Sequence, residues 1–482
     1  LSRAIHPATL EAALAALQDG SWSSQGLCEW ALERAQSITG LNAFVAVEGQ
    51  SAEADAARSD RRRRTATAPD APSRLALDGI PLAHKDLFYR PDRAPGCGSR
   101  APAPSRPGQE AAVLTRLRSS GALDLGPLHL SEYAYGPTGH NAAIGHARNP
   151  WNVERVTGGS SSGSAVAVAT AAVYGSLGSD SGGSIRTPAS WCGVSGLKTT
   201  RGTIPLTGTM ALAPTMDTIG IIARSAADLA LILAAVAGPD GLDGASANVP
   251  GWSADAFELA QRKSVRLGIV DEWFHDGLSP AIATGLDRIR QQWGDALGAR
   301  VVAADLPGLA RIVANARTVL LHEAWRTHQP LLEQHDAQYS AGVRARLLAG
   351  SEIDVAEYRE ARTVLPTLLQ GTLDTSFGDA DVLLLPCNPG TAPRIDETDL
   401  GAMQDPGPAV LKQVDGITRC LRPFNYLGLP ALVLPGGEDN DGMPFGFQLV
   451  GRPGAEAALL ALGMRWQTHT DWHRRAPPGQ SW

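Results

Sequence analysis

The chain has 482 residues, 43% of them hydrophobic and 19% charged, enough to bury a large core and too apolar for a disordered chain. Its formal net charge of −7 argues against a nucleic-acid-binding surface, which would be basic. Five cysteines (Cys28, Cys97, Cys192, Cys387 and Cys420) lie scattered without a Cys-x-x-Cys pair, so free thiols and a cytoplasmic setting are expected rather than a disulfide framework.

Leu10, Leu14 and Leu17 follow Pro7 at helical spacing and Gly20 ends the run, which predicts a first helix; a second is expected over residues 24–34. Ala43-Phe44-Val45-Ala46-Val47 reads as a short buried strand. Residues 52–64 read as a helix whose four closing arginines suit the negative end of its dipole, and 65–72 as a loop. From Leu77 to about Arg224 glycine, serine and proline become dense, as where loops carry a site. The apolar run at 226–237 contains Asp228 and is too short to span a bilayer, so no membrane partner is expected. Beyond it, 267–270 reads as a strand. Ile282, Leu286, Ile289, Trp293 and Leu297 line one helix face, and Val301-Val302 begin another strand. Residues 381–385 and 431–434 are expected buried strands, and 445–450 leads into a final helix near 455–466. This alternation predicts an α/β fold, a large sheet covered by helices on both faces. With no internal repeat or dividing linker, one domain is expected over 1–482, with a helical part at 1–64, a site-bearing core at 77–224 and a more variable segment at 238–380.

Three segments carry chemistry. The first is Thr157-Gly158-Gly159-Ser160-Ser161-Ser162-Gly163-Ser164, running into Ala165-Val166-Ala167-Val168-Ala169. Its glycine spacing fits a phosphate loop, but Ser164-Ala165 stand where Lys-Ser/Thr is needed. Gly159 to Gly163 also fits a G-x-S-x-G nucleophile elbow, although Asn152 to Val156 makes a poor preceding strand. The second is Gly178-Ser179-Asp180-Ser181-Gly182-Gly183-Ser184-Ile185-Arg186. Successive glycines there let backbone N–H groups converge as an oxyanion hole requires, and Asp180 with Arg186 are expected to pair and fix the loop. The third is Gly79-Ile80-Pro81-Leu82-Ala83-His84-Lys85-Asp86, an apolar run that abruptly carries a lysine. Alone it would read as a solvated cation. Drawn into a serine-rich pocket, the amine loses basicity and can serve as a base, as in Ser-Lys variants of the serine triad.

Together these segments resemble the amidase signature family, whose pattern is G-I/V-P-x-x-x-K-D, then G-G-S-S-G-G-S, then G-T-D-T/I-G-G-S-I-R. Lys85, Ser160 and Ser184 stand 75 and 24 residues apart, as in that family. Ser131 to Gly136, Arg148 to Trp151, Cys192 to Lys198, Asp217-Thr218, Arg422 to Asn425 and Gln448 to Gly451 also look like its segments. The resemblance implies the family's large mixed sheet between helices. It also implies Ser184 as nucleophile, Ser160 as a bridging serine held by a cis peptide bond, and Lys85 as a neutral base. The backbone N–H groups of Ser181, Gly182, Gly183 and Ser184 would form the oxyanion hole, with Ser161 in the supporting network.

Thr199-Thr200-Arg201-Gly202 departs from the usual Pro-Thr-Tyr-Gly, which leaves substrate choice open. Pocket walls are expected from Tyr133, Ala134, Tyr135 and Gly136, from 203–210 including Met210, and from residues 320–325 and 387–389. They read as mostly apolar or aromatic, which suits small neutral amides, or aryl amides, esters and carbamates. The rivals are the glutamine-hydrolysing A subunit of a tRNA-dependent amidotransferase, whose Tyr-Gly-Arg-Val-Ser pattern is missing here, and a non-catalytic binding protein on an amidase scaffold. No cofactor or metal is expected, since His140 and His146 have no third ligand at recognisable spacing. A small-molecule amide is the expected partner, and self-association stays open.

Overall fold

Thr9 caps the first helix, Leu10–Asp19, by accepting from the Ala12 N–H, and Gly20 ends it at φ 79°. The next two helices, Ser24–Ser37 and Gly49–Thr65, pack together over the sheet edge. Of the closing arginines, Arg62 and Arg63 pair with the buried carboxylate of Asp78. This computed structural model describes residues 6–65, 75–247, 249, 264–270, 272–400, 402–403 and 407–480; the expected loop at 65–72 lies almost wholly outside them.

Ten strands form one mixed sheet: β1 (Pro81–Lys85), β2 (Leu123–Leu128), β3 (Gly175–Asp180), β4 (Ser195–Lys198), β5 (Thr218–Ala223), β6 (Arg266–Ile269), β7 (Arg300–Ala303), β8 (Val382–Pro386), β9 (Ala431–Glu438) and β10 (Pro444–Val450). Their order is β2-β1-β3-β5-β4-β9-β10-β8-β6-β7. β1 runs parallel to β2 and β3, and β6 runs parallel to β7 and β8; the strands between are antiparallel.

Every residue of β1, β3, β4, β5 and β8 is buried, because both faces of the sheet are covered. On one face Ile219 and Ile221 of β5 pack with Leu229 and Leu233 of the helix Ala226–Val236 and with Leu459 and Leu462 of Glu456–His469. On the other, Ile222 and Val433 pack with Val166 and Val168 of the helix Ser162–Ala169. Among the described residues no helix is long and apolar enough to cross a membrane.

The expected strand at 43–47 is not one. Phe44 makes an isolated bridge to Leu128, the Val45 N–H bonds to the Pro127 carbonyl, and Val45 and Val47 are exposed. The segment runs along the open edge of β2, so its apolar residues only half meet the core. The helix expected from the Ile282–Leu297 stripe is present as Pro280–Leu297, with all five stripe residues buried.

Candidate active site

β1 and β3 are parallel neighbours, with Leu82 opposite Gly175 and His84 opposite Leu177, so their carboxyl ends emerge side by side. Lys85 closes β1, while Ser184 follows the end of β3. Ser160 lies just before the helix Ser162–Ala169, which packs against both strands. The topology thus brings three distant segments to one point.

Lys85 is wholly buried and its Nζ donates to Ser160 Oγ at 2.6 Å and to Ser179 Oγ at 2.9 Å. Burial lowers its pKa to about 7, against the opposing pull of Asp180 and Asp217. The amine can therefore be neutral and accept a proton at ordinary pH. Ser161 donates its N–H to the Ser184 carbonyl at 3.2 Å and its hydroxyl to the Ser179 carbonyl at 3.2 Å, which ties the two serine loops together. A Cβ on Gly159 (φ 47°) would come within 2.5 Å of Pro188 and 3.0 Å of the Ser184 Cα, so only glycine allows this approach. Between Ser184 and Ser160 themselves no hydrogen bond is formed.

Two expectations change. No peptide bond among the described residues is cis, so the Ser160 hydroxyl reaches Lys85 from an all-trans loop turned by Gly158 and Gly159, both at positive φ. The Gly183 N–H also departs from its expected oxyanion-hole role, because it donates to Asp180 Oδ1 at 2.7 Å. The N–H groups of Ser181, Gly182 and Ser184 meet no acceptor among the described residues and remain available.

Asp180 fixes this loop as expected. Its carboxylate also accepts from the Ile185 N–H at 3.1 Å and from Arg186 through two bonds of 3.0 Å. Arg186 reaches on to Asn425, and Asn425 returns to Asp180 at 2.8 Å. Burial alone would raise the Asp180 pKa; Arg186, Lys198 and Asn425 outweigh it and hold the carboxylate well below its usual range. Behind the loop, Asp217 accepts from the Ser181 hydroxyl at 2.5 Å and from the Leu212 N–H at 2.9 Å. Burial raises its pKa to about 6. Sequence reasoning gave neither Ser179 nor Asp217 a role in the site.

Ser181, Gly182 and Ser184 open onto a cavity of about 340 Å³. Ala134, Tyr135 and Gly136 line it as expected, with Leu320 and Leu321. Tyr133 and Met210 do not. Tyr133 stacks on Tyr339 and bonds the Ala101 carbonyl, while Met210 packs against Tyr89. Residues 203–210 and 387–389 are likewise off its wall. The expectation of few fixed charges also fails, since Arg317, Arg346, Arg422 and Asp415 all face this space. They lie far from Ser184 in sequence, and no local motif marks them.

His84 faces away from Lys85 and binds Asp124 at 3.0 Å. His140 and His146 gain in space the third group that sequence spacing lacked, Asp399, with ligand atoms within 4.8 Å of one another. The Asn141 N–H donates to His146 Nδ1 at 2.9 Å, so the ring proton sits on Nε2 and points to Asp399 at 3.0 Å. A metal at His146 Nε2 would need the opposite tautomer, so His146 and Asp399 act as a hydrogen-bonded strut, while His140 bonds through Nδ1 to Thr138 Oγ1.

The Amidase family model matches residues 27–460. The A subunit of the glutamyl-tRNA(Gln) amidotransferase of Chloroflexus aggregans is 35% identical over 98% of each chain. A solved structure described as a vestigial protein complex bearing on the origins of an s-triazine catabolic enzyme superposes with a TM-score of 0.85 at 31% identity, covering 96% of this chain and 98% of that one. A crystal structure described as an amidase does so with 0.82 at 31%, covering 96% and 99%. On the strength of that match across most of its length, this chain belongs to the amidase, or amidase signature, family.

Proposed function

We propose that the protein is a serine amidohydrolase that cleaves the C–N bond of a small carboxamide through an acyl-enzyme on Ser184. The observation that carries this reading is the 2.6 Å contact between Ser160 Oγ and a buried Lys85 with pKa about 7, beside a serine that faces the cavity. Ser184 Oγ attacks the carbonyl carbon. Its proton passes to Ser160 as the Ser160 proton passes to Lys85. The tetrahedral oxyanion accepts from the free N–H groups of Gly182 and Ser184, with Ser181 beside them. Ser160 then protonates the departing amine, and water repeats the sequence in reverse to free the acid. The test is a fluorophosphonate probe. Labelling lost in Ser184→Ala and kept in Ser161→Ala supports the assignment; labelling that survives Ser184→Ala overturns it.

A second reading has its own support. The 35% identity to an amidotransferase A subunit, over nearly all of both chains, favours glutamine as the amide and work within a larger assembly. Glutamine hydrolysis that is weak in the isolated chain and rises steeply with the amidotransferase partner subunits would favour it. Full turnover by the chain alone would favour the free-standing enzyme.

A further inference from the structure

A second cavity, of about 310 Å³, opens on the side of β1 to which His84 points, and it shares no lining residue with the cavity at Ser184. Its volume is that of a small-molecule site, which runs from about 300 to 1,000 Å³. The floor is apolar: Leu82, Leu114, Leu117 and Leu123 line it, each at most 8% exposed. The rim is charged, with five carboxylates (Glu48, Asp55, Asp92, Glu110 and Asp124) against two guanidinium groups, Arg90 and Arg118. Both guanidinium groups are committed. Arg90 holds Glu48 at 2.6 Å, and Arg118 holds Glu110 through bonds of 2.5 and 2.7 Å. Two acceptors are not. Asp124 Oδ1 takes the Gly126 N–H at 2.9 Å and the His84 Nδ1 proton at 3.0 Å. Its Oδ2 forms no hydrogen bond among the described residues and stands 3.8 Å from Arg90. With Nδ1 turned to that carboxylate, the neutral His84 ring leaves Nε2 as a bare acceptor. Nε2 meets no donor among the described residues, although the residue is only 2% exposed. Asp92, 71% exposed and 3.9 Å from Arg90, stands at the mouth. Buried acceptors without donors are costly, so a site with spare acceptors and excess negative charge fits a cation that brings N–H groups. An inorganic cation would leave the leucine floor uncovered.

We propose that this cavity is a second ligand site, which takes a primary organic ammonium ion. The ammonium head sits among the spare acceptors of His84, Asp124 and Asp92, and an alkyl or aryl body covers the leucines. Because the two cavities share no residue, the amine binds without occupying the space that Ser184 faces. The inference is independent of the acyl-enzyme reading.

The test is a calorimetric titration of the full chain with 2-phenylethylammonium at about pH 8, where a free imidazole is neutral and an alkylammonium charged. Its uncharged mate is 2-phenylethanol. One amine should bind per chain, about tenfold or more tighter than the alcohol, since the charged hydrogen bonds are lost with the charge. Asp124→Asn, which keeps an oxygen for the Gly126 N–H, should weaken the amine by about tenfold and leave the alcohol nearly unmoved. Asp92→Lys reverses a charge at an exposed position, where folding is not at risk, and should weaken the amine several-fold. Leu320→Ala, on the wall of the Ser184 cavity, should leave the affinity unchanged. No binding by the parent chain, or an alcohol bound as tightly as the amine, would overturn the site. So would an amine affinity unmoved by Asp92→Lys or by a folded Asp124→Asn. A loss of affinity in Leu320→Ala would put the amine in the Ser184 cavity and sink the second site.

Discussion

The two sides of the cavity at Ser184 are built differently. Lys85, Ser160 and Ser179 are buried on or beside adjacent strands, and the Ser184 loop is pinned by a wholly buried Asp180–Arg186 pair. The facing wall comes from the helices Leu309–His335, Ala341–Ser351 and Pro408–Gly416, where Arg317 and Leu411 are exposed and Leu320 is half-buried. One side is a fixed machine whose parts are over-determined by their neighbours. The other is a surface whose side chains can change without disturbing the sheet. Reaction type should therefore be sensitive to the first side and substrate choice to the second.

The largest effect belongs to the machine. Ser184→Ala should lower kcat by a factor on the order of 10⁴ or more while the protein stays folded. Steady-state kinetics beside a melting curve checks both halves. A comparable kcat loss from any wall residue would erase the distinction.

Lys85 follows. As a base it must be neutral, so activity should fall about tenfold per pH unit below about 7 and level off above. Lys85→Arg should not restore turnover, since guanidinium stays protonated, and the loss should be about 10²–10⁴-fold. Removing the amine, in contrast, should raise stability. The folded pKa lies below the unfolded value near 10.4, so the unfolded chain binds the extra proton between those limits. The cost of burying this amine is thus fully present below about pH 7 and disappears as pH rises through the unfolded value. Lys85→Met should therefore be inactive and melt a few degrees higher at pH 7, which differential scanning calorimetry would read. A Lys85→Met protein that melts lower would show that its serine contacts outweigh its desolvation.

Third comes the loop that frames the oxyanion site. Asp180→Asn leaves Arg186 buried without its counter-charge and weakens the Gly183 and Ile185 contacts, which should cost about 3–5 kcal/mol in denaturant unfolding. Activity should fall with it, because the same carboxylate shapes the Ser184 turn.

The asymmetry also explains what the sequence could tell. The meeting of the Lys85, Ser160 and Ser184 segments is legible because their glycines, small residues and lysine stand at fixed local spacing, and the strands around them read as apolar runs. The Asp180–Arg186 pair is legible for the same reason, six residues apart on one loop. Arg346 and Arg422 are not, because they reach the cavity from helices more than 150 residues away. Arg422 stands in plain view within Arg422-Pro423-Phe424-Asn425, but only packing aims it at Gly182. Met210 belongs to a segment close to the site in sequence, which suggests a place on the wall; in space it turns away to Tyr89. Gly183 suggests an oxyanion contact because a run of glycines does not reveal which N–H is already taken.

The smallest effect should come from trimming the wall. Leu320 lies on the long helix opposite the oxyanion loop, its Cδ2 3.9 Å from where a Gly182 Cβ would be. Being half-buried, it should lose less on truncation than a core leucine, about 1 kcal/mol of stability in Leu320→Ala. The three carbons removed widen the cavity beside the acyl group by about the volume of a short alkyl chain. Each methylene of substrate that fills such space is worth about 0.8 kcal/mol, or a factor of three to four in kcat/KM. Amides one or two carbons longer should thus become the preferred substrates, with KM moving and the kcat of the best substrate nearly constant. Kinetics along the alkyl amide series checks this. A shift in kcat with an unmoved chain-length preference would mean that Leu320 supports the oxyanion loop through packing, and the boundary between machine and wall would then run one residue layer further out.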